Sequence, residues 1–338
     1  MTTMTETTWL DLPGMPAIDG LRVRRFRDAD DFEPMAEVMR ASNQLDDVPW
    51  MPTASNLAVE MTGNERIVPA DDVVIVELDG RVVAVTEVWR VVRTDLVTFE
   101  AIGFVAPDVR GRGIGAVLLT ENIRRAEERA ALEPAGTSTA IRAFADHGEV
   151  ANRRLLERRG FSVIRHFFLM RRPDLATVPE LALPEGLELR PVTPEQHRAI
   201  FDAEAEAFQD HWGSHDWTDD DFRTTFARDE LDTGLWVVAW DGDQVAGVVQ
   251  TWVWAEENER LGVKRGWLEH ISVRRPWRRR GLARAISAVA MHRLRAAGMQ
   301  EAMLGVDSEN PNGALGLYEG LGFEVFTRAA AYDLVERG

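Results

Sequence analysis

The 338-residue sequence contains no cysteine. That excludes disulfides, thiolate metal sites and cysteine nucleophiles, and it fits a reducing compartment. No apolar run approaches the ~18 residues that a membrane span requires. The opening stretch, MTTMTETTWLDLPGMPAIDG, has neither a basic n-region nor an apolar h-region. No secretory signal is expected there, and residues 1–20 read as a flexible tail. Positive charge is in deficit: 39 Lys and Arg stand against 56 Asp and Glu, for a formal net charge of −17 and an isoelectric point near 4.9. Such a chain is poorly suited to non-specific contact with nucleic acid or anionic membrane. The expectation is a cytoplasmic protein with neither as partner. What is abundant is apolar material, 45% of residues, enough for the packed cores of two domains.

The chain repeats itself. VVIVELDGRVVAVTEVW (73–89) is matched by LWVVAWDGDQVAGVVQTW (235–252), each reading as strand, Asp-Gly turn, strand. A third apolar stretch follows in each copy, then an Arg/Gly-rich loop and a helical pattern. In the second copy Leu282, Ile286, Val289, Ala290 and Leu294 recur at helical spacing. Another strand, a short helix and a Gly-Phe pair close each copy, at Gly160-Phe161 and Gly322-Phe323. The order β-α-α-β-β-β-α-β-α-β therefore occurs twice. It predicts an α/β (α+β) fold, each copy a mixed, mostly antiparallel sheet flanked by helices. The proline-bearing stretch 171–186 reads as the linker between domains at 21–175 and 185–338.

An acidic protein that crowds arginines in one place demands a reason. VRRPWRRRGLARA (273–285) holds six, and VAPDVRGRGIG (105–115) is its counterpart. Both contain Arg, two residues, Gly, one residue, then Gly or Ala. Small residues let backbone amides approach a ligand, and the helix that starts there adds free N–H groups and its positive dipole end. Arginines supply charge-assisted hydrogen bonds to phosphate. The loops therefore read as anion cradles: Val105, Arg110, Gly111, Arg112, Gly113, Ile114 and Gly115 in the first copy, and Arg278, Arg279, Arg280, Gly281, Leu282, Ala283 and Arg284 in the second. A Rossmann loop fits poorly, and neither cradle has the Gly-Lys-Ser/Thr of a P-loop.

With the later DSENPNGALGLYEGLGF, these loops make the chain resemble the GNAT superfamily of acetyl-CoA-dependent N-acetyltransferases, in a tandem layout similar to that of mycothiol synthase. The resemblance implies acetyl-CoA as co-substrate and no metal. It implies that the loop amides hold the CoA pyrophosphate and that the strand edge Ile271, Ser272 and Val273 pairs with the pantetheine arm. Asn310 would position that arm, and Tyr318 would protonate the leaving thiolate. The implied acceptor is a small-molecule primary amine, and the tandem layout is compatible with a monomer or homodimer.

Acetyl transfer to an amine also needs a base. Glu269, four residues before Val273, is the candidate, expected on the Val273 side of the strand; His270 is expected on the other face, packed or solvated. In FQDHWGSHDWTDDDF (208–222), His211, Trp212, His215, Asp216 and Trp217 are substrate-side candidates, with Thr218 or Asp219 a possible helix cap. Eight of eleven tryptophans follow residue 200. The copies are unequal: Leu156 aligns with Tyr318, Gly148 with Asn310 and Ala101 with Glu269. Chemistry is thus expected in the second domain, with the first degenerate and either CoA-binding or structural. Alternatives are an acyl-CoA-binding regulatory module or a protein N-terminal acetyltransferase.

Overall fold

The computed structural model describes residues 9–310 and 313–334. The chain forms two compact units, residues 1–164 with 330–338, and residues 165–329.

Unit 1 runs β1 (Trp9–Leu10), β2 (Leu21–Arg25), α1 (Phe32–Leu45), α2 (Ala54–Met61), α3 (Pro69–Asp72), β3 (Val73–Leu78), β4 (Arg81–Val92), β5 (Val97–Val105), α4 (Ile114–Ala130), β6 (Thr139–Asp146) and α5 (Val150–Arg158). Strands β1 to β6 are neighbours in chain order, antiparallel except where β5 meets β6 in parallel. Residues 9–20, expected within a flexible tail, instead pack: β1 pairs with β2, and Leu10, Leu12 and Met15 lie on the core beneath α4. Residues 1–8 of that expected tail lie outside the described residues. The first hairpin turns at Asp79-Gly80, both at positive φ, as a type I′ turn demands. One face of the sheet packs α1 and α2 through Met35, Met39, Leu57 and Met61; the other packs α4 through Ile114 and Leu118. Glu87 is buried in β4, and its Oε2 has no hydrogen-bond partner among the described residues. Burial pushes this carboxyl up to about 8.

Unit 2 begins within β7 (Phe161–Arg172). It continues through β8 (Glu188–Arg190), α6 (His197–Phe208), α7 (Asp219–Phe226), β9 (Val237–Asp241), β10 (Gln244–Trp252), α8 (Ala255–Leu261), β11 (Arg265–Val273), α9 (Leu282–Ala296), β12 (Glu301–Asp307) and α10 (Ala314–Glu319). Its strand order is β7-β12-β11-β10-β9-β8, with β11 and β12 parallel. Helix α9 covers one face through Leu282, Ile286 and Leu294, and α6 covers the other through Ile200 and Ala203. The last strand, β13 (Glu324–Leu334), starts in unit 2 and ends in unit 1, where Asp333 pairs with Arg142 of β6 at 2.7 and 2.9 Å.

Two expectations are corrected in unit 2. The second hairpin pairs Gln244 with Asp241, so its centre is Gly242-Asp243 and only Gly242 has positive φ. That is the II′ pattern, with Gly at the first central position. The expected linker is no free spacer. Leu175 and Val178 are buried in the α9-side core, Leu181 and Leu183 pack against it, and the Leu175 N–H donates to the Gln300 carbonyl at 3.0 Å.

Candidate active site

In both units the sheet opens where the cradle begins. Strand β5 pairs with β6 only from Val97 to Glu100, and β11 pairs with β12 only from Arg265 to Trp267. Beyond those points the parallel partners part. The Ile271–Val273 edge that faces β12 in the paired region is left free of β12, and residues 101–105 stand in the same relation in unit 1.

The loops after these strands have matching backbones. Gly113 and Gly281 are left-handed caps at φ +93° and +82° immediately before α4 and α9. Arg279 takes positive φ where unit 1 has Gly111. The first intrahelical bonds run from Ala116 to Gly113 and from Ala285 to Gly281, both 3.1 Å, so the preceding N–H groups have no partner within the helix. A Cβ at Gly115 would meet Val105 and Leu155 at 3.6 and 3.8 Å, ordinary contact, which explains why Ala283 serves in the other copy.

The arginines are where the structure departs most from expectation. Arg278, expected on phosphate, turns inward: it donates to the Val273 carbonyl (2.8 Å), Asp210 (2.6 Å) and the Ala207 carbonyl (3.1 Å). Arg110 does the same with the Val105 carbonyl (3.1 Å), Asp46 (2.8 and 2.9 Å) and the Ser42 hydroxyl (2.6 Å). Each guanidinium therefore ties the end of the splayed strand to the helix crossing above it, and shapes the cradle rather than filling it. Arg275 also binds Asp210, and these two arginines hold the Asp210 carboxyl well below the usual aspartate range. Arg274 binds Glu206 at 2.7 Å, and Arg280 and Arg284 donate to the Glu185 and Gly320 carbonyls. Arg279 is exposed, and Arg112 makes a long 3.4 Å contact to the Asp108 carbonyl.

Glu269 is placed by a β-bulge. Gln250 pairs with His270 and Thr251 with Leu268, so Glu269 has no partner across the ladder. The extra residue breaks the alternation of sides. Leu268, not Glu269, shares the α9-side core with Ile271 and Val273. Glu269 turns to the α6 side instead, where Trp254 Nε1 donates to its Oε1 at 3.3 Å. The side chain is exposed to solvent at its surface, yet protein atoms crowd the carboxyl from the Trp254 side. That desolvation pushes its pKa above the ordinary glutamate value. Glu257 of α8, a helix absent from unit 1, is buried close by and accepts from Trp267 Nε1 at 3.0 Å. Burial raises it to about 7, against the lowering effects of Trp267 and Arg265. Sequence reasoning passed over Glu257; the signal available was an acidic helical stretch, AEENERL, between the segments that carry Trp252, Trp254 and Trp267.

Tyr318 lies on α10, 8% exposed, its ring against Phe323 at 6.1 Å, and burial pushes the phenol above the ordinary tyrosine range. It thus keeps its proton at any working pH. Asn310 caps the turn after β12, its N–H donating to the Asp307 carbonyl at 3.1 Å. Of the 208–222 residues, Trp217 packs on Phe208 and His270, His215 stacks on Trp217, and His211 lies against Phe208 with its pKa lowered by burial. Trp212 belongs elsewhere, with Phe167 and Arg165. Asp216 is exposed and joins neither group. Thr218 is the N-cap of α7, in a capping box with Asp221.

Unit 1 has a different site around the same loop. Its cavity of about 510 Å³ is lined by the cradle, the splayed residues 101–105 and 143–146, Asn122, Asn152 and Glu149. Ala101 stands in the unbulged β5 register, and Leu156 is buried. A Cβ on Gly148 would come within 2.0 Å of the Asp46 carbonyl oxygen, so no asparagine fits there. Among the described residues no cluster of three or more metal-ligating side chains is present, and no helix is long and apolar enough to cross a membrane.

Comparison with known proteins matches this twofold geometry. The profile of the Acetyltransferase (GNAT) family fits residues 36–161 and again residues 197–323. The chain belongs to the GNAT acetyltransferase family. It is 34% identical over 231 residues to a mycothiol acetyltransferase of Geodermatophilus obscurus, covering 66% of this chain and 70% of that one. It is 31% identical over 230 residues to that of Thermobispora bispora, covering 68% and 73%. Among solved structures, a GCN5-related N-acetyltransferase from Sphaerobacter thermophilus superposes with a TM-score of 0.70 at 24% identity, covering 94% of this chain and 96% of that one. A tandem GNAT protein from the clavulanic acid pathway gives 0.64 at 17%, covering 93% and 98%. The protein is an acetyl-CoA-dependent N-acetyltransferase of tandem organisation.

Proposed function

We propose that unit 2 carries the chemistry and acetylates a primary amine of a small molecule. The bulge carries this reading: it puts a carboxyl of raised pKa beside the free edge of β11, and β5 of unit 1 has no such bulge. Bound acetyl-CoA supplies an activated acetyl thioester. The amides of residues 279–283 fit its diphosphate, and the Ile271–Val273 edge, with Asn310, fits its extended arm. Glu269 takes a proton from the acceptor nitrogen at its carboxyl oxygen, and the Tyr318 hydroxyl gives one to the departing sulfur. A backbone N–H on the free edge polarises the carbonyl. Arg279 is the loop cation best placed to meet phosphate. No metal enters the reaction. We place the enzyme in the cytoplasm as a monomer or homodimer.

The named relatives make the amine precursor of mycothiol the first acceptor to test, ahead of polyamines, amino sugars and aminoglycosides. The assay is release of CoA thiol from acetyl-CoA with each amine, for wild type and Glu269→Gln. A fall of about 10²–10⁴-fold in kcat/KM for the variant is expected. Equal rates would sink the assignment. Stabilisation by acetyl-CoA without release for any amine would favour a binding module. The cavity in unit 1 favours a second reading, in which that unit binds CoA alone or acts itself; Glu269→Gln together with Tyr318→Phe separates the two, since a working unit 1 leaves turnover intact in both variants.

A further inference from the structure

The bulge puts a second titratable residue on the acceptor-side face. Leu268 and Ile271 both face the α9-side core, so the two residues between them, Glu269 and His270, both turn toward α6. His270 Nδ1 is buried and has no hydrogen-bond partner among the described residues; Glu204 Oε1 is in the same condition. These two orphaned atoms face each other at 3.7 Å. Glu204 is fully buried on α6, and its other oxygen accepts from Gln250 Nε2, on the residue paired with His270 across the ladder. Phe208 and Trp217 hold the ring from its sides, with centroids at 5.1 and 5.4 Å. Yet the side chain is 37% exposed, so one edge is fixed inward while the other is open to the site.

An imidazole fixed by a buried carboxyl behind it, with the second nitrogen free, is the arrangement of an oriented base. A shift of under about 1 Å closes the gap to a hydrogen bond, as such contacts commonly tighten only with substrate present. Unit 1 lacks the arrangement. Three residues along from its Ala84–Val105 pair stands Glu87–Ile102; three along from Gly247–Val273 in unit 2 stands Gln250–His270.

We propose that His270, positioned by Glu204, is a further proton acceptor for the amine substrate in unit 2, beside Glu269. This rests on unit 2 being the working site. With Nδ1–H given to Glu204, the ring's lone pair is on Nε2. Nε2 takes one proton from the acceptor ammonium. The freed nitrogen lone pair forms the C–N bond to the acetyl carbonyl carbon. Glu269 takes the second N–H proton as the C–S bond breaks, and the departing sulfur takes the Tyr318 hydroxyl proton. Glu269 makes that proton good to Tyr318 through water, and His270 returns its own proton to water. Glu204 holds the ring and gains no proton. The groups facing the ring are Glu204 from α6, Gln250 from β10, Glu269 from its own strand and His211 from the loop after α6. Burial lowers the ring's pKa, but Glu204 and Glu269 outweigh it and the net direction is up.

The test uses the full chain. Ring signals of His270, assigned by their loss in His270→Gln, are titrated by NMR in wild type and Glu204→Gln. Activity is followed with acetyl-CoA and the amine precursor of mycothiol, or whichever amine wild type turns over fastest. Wild type should show the Nδ1–H tautomer and a pKa above 6.5; Glu204→Gln should lower that pKa. His270→Gln should cut kcat/KM about 10²-fold and reshape its acid limb, Glu204→Gln about 10-fold, with Glu204→Asp restoring part. The proposal is overturned by an Nε2–H tautomer or a pKa below 6.5 in wild type, which needs no variant to fold. It is equally overturned by an unchanged rate and pH profile in His270→Gln. The two assignments fail separately: wild-type turnover in Glu269→Gln with a loss in His270→Gln removes only Glu269 as a base, the reverse result leaves Glu269, and wild-type turnover in both variants moves the chemistry out of unit 2.

Discussion

Replacing Tyr318 by Phe removes one oxygen from a ring that is otherwise held by packing. The ring is 8% exposed and edge-on to Phe323 at 6.1 Å, within the core that α9 builds. Phenylalanine fills the same volume, so stability should change by no more than about 1 kcal/mol. The rate should not survive as well. A positioned acid contributes about 10²–10⁴-fold, equivalent to about 2.7–5.4 kcal/mol of barrier at 1.36 kcal/mol per tenfold. Because burial keeps the phenol protonated, no alkaline limb from Tyr318 should appear below pH 10. The chain has only two tyrosines, and Tyr332, 2% exposed within the unit 1 core, is an internal control whose change to Phe should leave turnover alone. CoA-thiol release measures the rate; urea unfolding and acetyl-CoA binding show that fold and cofactor site persist. Turnover within about threefold of wild type, with both controls normal, refutes the reasoning: either solvent protonates the thiolate or unit 1 is the working site.

Three further outcomes follow from the geometry. Arg278→Lys cannot serve three acceptors held by separate guanidinium nitrogens, so the acetyl-CoA KM should rise about tenfold with kcat less affected; a fall in kcat alone would contradict the clamp role. Glu87 keeps its proton in the folded chain up to about pH 8, whereas the unfolded chain releases it near 4.5. Stability should therefore fall as pH rises through that window, by on the order of 3–5 kcal/mol, and Glu87→Gln should flatten the slope of urea-unfolding free energy against pH; parallel curves would show that the carboxyl is solvated. Gly148→Ala should cost about 1–3 kcal/mol, because its Cβ meets the Asp46 carbonyl oxygen at 2.0 Å, while Gly115→Ala should be near neutral by the same unfolding assay.

Much was legible because it is written in neighbouring residues. Turn glycines, helical spacing and the Arg-x-x-Gly-x-Gly/Ala loops are local signals, and the duplication of each made them firm. The site was less legible. Glu269 was put forward as the base on an unsound count, since parity along β11 was taken without the bulge, and one inserted residue reverses every side that follows. The loop arginines were read by charge alone; their partners Asp46 and Asp210 lie 64 and 68 residues away in sequence. Glu204 drew no notice, because only its position opposite His270, 66 residues on (270 − 204), gives it a task.

The sequence by itself determined a twofold α/β chain, two Arg-x-x-Gly-x-Gly/Ala loops at strand-to-helix turns, and a second copy with Glu269 and Tyr318 where the first has Ala101 and Leu156. Those features depend on backbone conformations that a few adjacent residues dictate. Tertiary structure alone decided where β5 and β11 part from their parallel neighbours, which carboxyls the arginines hold, and that β7 and β13 each begin in one unit and end in the other. These are choices of register and partner among segments far apart in the chain, settled by which pairing buries the most apolar surface while satisfying the polar groups it covers.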